Sequence, residues 1–95
     1  MAPAQLAESL ERSLLDRDGA ATRSAREAAM RGEGEYASQI ERAAYKVTVE
    51  QVEALRATHS DDALFELTVC AAHGAAKRRV EAGLNALNEA YGDEP

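Results

Sequence analysis

Apolar residues recur along this chain at spacings of three and four positions, and no segment alternates strictly between apolar and polar residues as a half-buried strand does. Leu6, Leu10 and Leu14 follow the helical spacing, and Gly19 is suited to the left-handed conformation that often closes a helix. The pattern predicts a first helix over residues 4–17.

Two short helices are predicted next. Residues 20–31 are rich in alanine and arginine and stop at the glycines within residues 32–34. This helix is only weakly apolar, so the sequence defines its packing face poorly. Residues 35–46 place Tyr36 and Ile40 on one face, as in an amphipathic helix.

The start of a fourth predicted helix, residues 49–57, carries the clearest local signal. Thr48 stands in the N-cap position and Gln51 follows three residues later, which is the spacing of a capping box. Val47 and Val52 flank the cap as a hydrophobic staple.

A fifth helix is predicted over residues 61–91, with a bend near Gly74. Ser60 is its N-cap, and Asp61 and Asp62 place negative charge in the first turn, where the helix dipole favours it.

Residues 63–76 of this last helix are apolar on nearly every side, interrupted only by Glu66, Thr68 and His73. A helix that is apolar all round is surrounded by protein or lipid. The segment is too short to span a bilayer and runs into the basic residues 77–79, so burial against other chains is expected. The predicted fold is therefore all-α: a compact bundle of four to five helices that forms homo-oligomers through its long apolar C-terminal helix.

Length and charge limit the classes of function. A chain of 95 residues forms one domain, and its small size favours oligomerisation as a source of extra core. We divide it into N-terminal helices (1–34), a helical core (35–92) and a frayed tail (93–95).

The net charge of −6 argues against a nucleic-acid partner, which requires a clustered positive surface. The basic residues 77–79 point about 100° apart around their helix, so we expect them to form salt bridges and not one patch. Because we see neither an apolar leader nor a membrane-spanning segment, we expect a cytoplasmic protein without membrane contact.

Two stretches match a pattern of helix caps and apolar spacing. Residues 47–57 read V-T-V-E-Q-V-E-A-L-R-A, residues 60–67 read S-D-D-A-L-F-E-L, and two alanines follow at 71–72. The pattern resembles the alkylhydroperoxidase D-like, carboxymuconolactone decarboxylase family, over about residues 36–87. This resemblance implies an all-helical fold that assembles as dimers, trimers or hexamers.

In the peroxidase branch of that family, the chemistry rests on a Cys-x-x-Cys pair followed by a His, with an upstream Glu. This chain has one cysteine, Cys70, and lacks the pair. One cysteine cannot reduce a peroxide and also resolve the product within one subunit. The resemblance therefore implies the fold more than the redox activity, and a protein of the same family with its own cysteine pair is one candidate partner.

Glu66, Cys70 and His73 are the candidate catalytic residues, because the spacing i, i+4, i+7 places them on one helix face. A thiol beside an imidazole ionises more readily, and a carboxylate can orient the imidazole. The alternative is structural: Cys70 acts as a small hydrophobe, His73 bonds a carbonyl or another chain, and Glu66 pairs with Arg78 or Arg79 from another helix or subunit.

Three functions remain open. The first is an oligomeric binding or assembly subunit without redox chemistry. The second is a non-redox enzyme of decarboxylase or isomerase type, in which His73 is the general base and Glu66 or Arg79 holds an acidic substrate. The third is a single-cysteine thiol enzyme at Cys70. No cofactor is expected, and a metal site made of Glu66, His73 and His59 is disfavoured because the chain has no Glu-x-x-His pair.

Overall fold

The computed structural model describes residues 3–91, apart from the side chains of residues 3, 4 and 7. Most of this stretch is α-helical, and it contains no β-strand. The helices are α1 (Pro3–Asp16), α2 (Arg23–Met30), α3 (Glu35–Ala43), α4 (Val49–Arg56) and α5 (Asp61–Tyr91), with a 3₁₀ turn at Ala44–Lys46. The all-α prediction is confirmed. The predicted frayed tail, residues 93–95, lies outside the described residues.

Side-chain caps fix the starts of α4 and α5. Thr48 Oγ1 accepts a hydrogen bond from the amide of Gln51 (3.2 Å), and Gln51 Oε1 accepts one from the amide of Thr48 (2.9 Å). This reciprocal pair is the predicted capping box. Ser60 Oγ accepts a hydrogen bond from the amide of Ala63 (3.1 Å), as expected of an N-cap.

α2 and α3 are shorter than predicted. Thr22 Oγ1 caps α2 by accepting a hydrogen bond from the amide of Ala25 (3.1 Å), so this helix begins after Thr22 and not at residue 20. The backbone of Ala43 leaves the helical region, with φ −164° and ψ 75°. As a result α3 closes there, and the chain tightens into the 3₁₀ turn before α4.

The other helices pack against α5, chiefly α2 and α3. The buried cluster consists mainly of small side chains, which allow the helix backbones to approach closely. Its members are Ala29, Met30, Ala37, Ile40, Cys70 and Ala71. Leu14 and Leu15 of α1 pack against one side of this cluster, and Tyr36 of α3 packs against another.

α2 lies directly against α5 at Gly74. A Cβ atom on Gly74 would lie 1.8 Å from the carbonyl oxygen of Met30 and 2.7 Å from its carbonyl carbon, so only glycine fits without a shift of the α2 backbone. α5 continues through this position as one helix. Gly74 therefore permits close packing of two helices.

The apolar segment 63–76 is covered on one side by helices of its own chain, where the sequence analysis expected other chains. The buried residues of α5 all lie in this segment: Ala63, Leu64, Cys70, Ala71, Gly74 and Ala75. Small side chains on α2 and α3 make this possible, because they allow a short chain to enclose part of a helix. The other side is open, and Phe65 is 67% exposed.

The compact bundle carries a projecting helical arm. Residues 79–91 of α5 are exposed throughout, and we call this stretch the helical arm. A helix of the length of α5 spans about 46 Å, which accounts for most of the 57 Å long axis of the molecule, against 29 and 17 Å for the other two axes. None of the helices described has both the length and the apolar character needed to cross a membrane.

Candidate functional site

Glu66 on α5 binds the loop that connects α1 to α2. Its carboxylate accepts hydrogen bonds from the amides of Ala20 (3.1 Å) and Ala21 (2.8 Å). These two N–H groups satisfy a partly buried carboxylate, as such a group requires. Within one chain, the predicted pairing of Glu66 with Arg78 or Arg79 is therefore wrong.

Arg78 ties α2 and α3 to α5. Its Nε and Nη2 atoms donate to the two carboxylate oxygens of Glu41 (2.6 and 2.9 Å), and Nη1 donates to the carbonyl oxygen of Met30 (2.8 Å). Met30 ends α2, where helix carbonyls lack a donor within the helix. The hydrogen bond from Arg78 holds the pKa of Glu41 below its usual range.

The neighbouring basic residues bind elsewhere. Lys77 Nζ donates to Glu11 Oε1 on α1 (2.7 Å), and this hydrogen bond raises the pKa of Lys77. Arg79 Nη2 donates to the carbonyl oxygen of Glu41. Residues 77–79 thus fan around α5 and contact three different helices, so the predicted salt-bridge role is confirmed for Lys77 and Arg78.

Cys70 is the most deeply buried of the candidate catalytic residues, at 1% exposure. Burial raises the pKa of its thiol, with a further upward contribution from the charge of Glu66. A buried thiol with a raised pKa stays protonated near neutral pH and is a poor nucleophile. The environment is that of a small core side chain.

His73 faces α1. Its Nε2 atom lies 3.5 Å from Glu11 Oε1, and within the described part of the chain that nitrogen has no hydrogen-bond partner. The same oxygen of Glu11 accepts the hydrogen bond from Lys77. The side chain of His73 is 15% exposed, so a carboxylate, an ammonium and an imidazole meet in a partly desolvated contact between α1 and α5.

The three candidate residues share a helix face but not a set of contacts. Among the residues described, no hydrogen bond joins any two of Glu66, Cys70 and His73, and no group of three His, Cys, Asp or Glu side chains is placed to hold a metal ion. The third residue weighed for a metal site, His59, directs Nδ1 toward the carbonyl oxygen of Leu55 (3.1 Å).

A cleft of about 380 Å³ opens between α1, α2 and α5, and Glu11, the neighbour of His73, is one of its lining residues. The cations that line it are Arg31, Lys77 and Arg78, and Met30 contributes apolar surface. All three cations are already paired with carboxylates, so none offers free charge to an anionic ligand. Among the residues described, the cleft is therefore lined by structural ion pairs.

The most distinctive exposed apolar side chains form a stripe on the helical arm, and two further exposed leucines lie on α1. All of them are 47–71% exposed. We call this surface the apolar end; it consists of Leu6, Leu10, Val80, Leu84, Leu87 and Tyr91. The spacing of four, three and four residues along α5 is visible in the sequence, but we did not predict an exposed apolar surface from it.

A second overlooked residue is Arg26, which is 4% exposed. Its Nη1 atom donates to the carbonyl oxygens of Leu14 (2.7 Å) and Arg17 (2.9 Å) at the end of α1. A cation there satisfies helix carbonyls and complements the helix dipole. Arg26 lies one turn before Ala29 on the apolar face of α2. This position in the sequence could have indicated that its side chain is buried.

Comparison with family models, with curated proteins and with solved structures finds no match for this chain. The resemblance to the alkylhydroperoxidase D-like family therefore stays a prediction from residues 47–72. The helix caps of that stretch are in place, but caps belong to many helical folds.

Proposed function

We propose that this chain is a small assembly or binding subunit of the alkylhydroperoxidase D-like kind, which works by association with further copies of itself and without a redox cysteine pair. The observation that carries the proposal is the apolar end. Monomeric proteins seldom expose contiguous apolar patches of more than a few hundred Å², and larger ones mark interaction sites.

The size of the surface supports association of moderate strength. Burying the exposed half of a Leu or Val side chain contributes about 1 kcal/mol. Six such side chains on each of two copies contribute about 12 kcal/mol, which is comparable with the roughly 4–15 kcal/mol cost of association. The arm alone offers about 8 kcal/mol, so the two leucines of α1 supply about a third of the total.

The sites of possible chemistry agree with this function. Cys70 is buried with a raised pKa, and Glu66 is occupied by backbone amides. Members of the family that the chain resembles typically form oligomers. Because the chain lacks the Cys-x-x-Cys pair, the resemblance supports assembly but not redox activity.

The test is the native mass, measured by light scattering behind size exclusion over a range of protein concentrations. We expect an oligomer for the unmodified chain, and a monomer for Leu84→Glu because a charge would enter the buried stripe. Asn85→Glu is the matched control, since it adds the same charge one residue away on another face of the arm. A monomer at every concentration, or equal masses for the two variants, would refute the proposal.

A second candidate function has one specific observation in its favour. The unpartnered Nε2 of His73 lies beside the Glu11 carboxylate and close to the cleft between α1, α2 and α5. A histidine oriented by a carboxylate is suited to general base catalysis, and Glu11 would then orient the imidazole in place of Glu66. Turnover of small lactones or carboxylic acids that His73→Gln abolishes would support a non-redox enzyme, and turnover that survives the substitution would exclude it.

A further inference from the structure

We infer that the helical arm pairs with the arm of a second copy in antiparallel orientation, around a two-fold axis that passes between Leu84 and Leu87. The large apolar residues of the arm are separated by four, three and four positions: Val80, Leu84, Leu87 and Tyr91. This spacing reads the same in both directions. In an antiparallel pair related by a two-fold axis, this spacing lets the stripe face its own copy, with residue i opposite residue j and residue j opposite residue i.

All four side chains lie on one narrow face. At about 100° per residue they fall within an arc of about 60° around the helix axis. Alternating separations of three and four residues produce the seam of a left-handed helix pair, in which the side chains of one helix fit between those of the other. In the antiparallel register, Val80 faces Tyr91 of the second copy and Leu84 faces Leu87 of the second copy.

The chain's own α1 excludes the parallel arrangement. The face of α5 that carries the apolar stripe also carries Glu66, His73 and Lys77, one to four turns earlier. Those residues are covered by α1 and its connection to α2. A parallel partner helix would continue over this covered face and collide with α1. In an antiparallel pair, Tyr91 of the second copy lies beside Val80, and the helical bundle of that copy lies beyond the far end of the arm.

The leucines of α1 complete the interface. Ala20 and Ala21 contact Glu66, whereas Glu11 contacts Lys77, so α1 runs antiparallel to α5. The first two turns of α1 therefore lie toward the level of Val80. That is where the antiparallel register brings Tyr91 of the second copy, whose ring is 71% exposed in the single chain. Both parts of the apolar end are then used in one contact.

The inference rests on the self-association proposed above, and cysteine crosslinking separates the two ideas. Val80→Cys and Tyr91→Cys are prepared separately, and each alone and a mixture of both are treated with a mild oxidant. A disulfide requires Cα atoms within about 7 Å. In the antiparallel register position 80 meets position 91, while two copies of position 80 are about 16 Å apart along the axis.

We expect a covalent dimer in the mixture and none with either variant alone. Cys70 is buried, so the unmodified chain serves as the background control, and Asn85→Cys mixed with Tyr91→Cys is the control for accidental collisions. Crosslinking of each variant alone would overturn the register in favour of a parallel pair. A dimer by light scattering with no crosslink in any sample would overturn it also.

A monomer by light scattering would instead refute the self-association itself. If either substitution prevents association, Leu84→Cys mixed with Leu87→Cys tests the same register, because positions 84 and 87 face each other next to the two-fold axis.

Discussion

Replacing Gly74 by alanine is expected to destabilise the fold, whereas the same replacement at Gly83 is expected to stabilise it. Both glycines lie inside α5, so both substitutions gain the helix propensity of alanine, about 1 kcal/mol. At Gly83 a Cβ atom meets no other atom within 4 Å. The expected result there is a stabilisation of about 0.5–1 kcal/mol.

At Gly74 the new methyl group would lie 1.8 Å from the carbonyl oxygen of Met30, where ordinary contact begins at 3.4 Å. The obstacle is backbone, so α2 as a whole has to move. Overpacking of this kind costs about 1–3 kcal/mol, sometimes more. The movement also strains the hydrogen bond from Arg78 to Met30, and bonds to charged groups contribute about 1.5–3 kcal/mol. The net expectation for Gly74→Ala is a loss of about 2–4 kcal/mol.

Urea and thermal unfolding followed by far-UV circular dichroism measure both effects, at one fixed protein concentration because association raises apparent stability. For a domain of this size 1 kcal/mol corresponds to about 4–8 °C in Tm. The Tm should fall by roughly 10–25 °C for Gly74→Ala and rise by about 2–8 °C for Gly83→Ala. Equal shifts of the two variants in the same direction would show that α2 does not press on Gly74.

The remaining predictions concern the buried and paired groups. Cys70 should react with a small alkylating reagent only as fast as the chain unfolds, and rapid labelling of the folded protein would contradict its burial. Arg26→Met should lower the free energy of unfolding by about 2–4 kcal/mol, because two helix carbonyls lose their donor; an unchanged urea midpoint would show that these bonds contribute nothing. Since the hydrogen bond from Arg78 lowers the pKa of Glu41, the resulting stabilisation is fully present above the unfolded pKa of about 4.3 and is lost as the pH falls through the lowered value. Glu41→Gln should therefore flatten the decline of the urea midpoint below that pH, and parallel acid profiles for the two proteins would refute this.

Local chemistry made the helices predictable. The cap at Thr48 and the run of apolar positions after Ser60 depend on residues close in sequence, so α4 and the start of α5 could be recognised without tertiary information. The start of α2 was missed because Thr22 lies inside an alanine-rich stretch with little contrast. The fan of residues 77–79 was predictable from helix geometry alone.

The contacts between helices were harder to foresee. Glu66 was expected to need an arginine, since a partly buried carboxylate needs a partner, but the sequence gives no hint that free amides of a distant loop come within reach. We expected other chains to bury residues 63–76, and did not foresee burial by α2 and α3, for a related reason. The sequence shows how apolar a helix is, but how closely alanine and glycine let its neighbours approach depends on the crossing of the helices.

The arm also shows how a helix can persist without tertiary support. Nucleating a helix is the unfavourable step, and an isolated segment of this length is marginally helical in water. Here the turns of α5 under α2 and α3 provide the nucleus, and residues 79–91 add to an existing helix one residue at a time. In the unassociated chain, amide exchange should therefore increase steadily from Arg79 toward Tyr91, without a sharp boundary. A partner meets a surface whose backbone is already ordered, so binding loses little chain entropy.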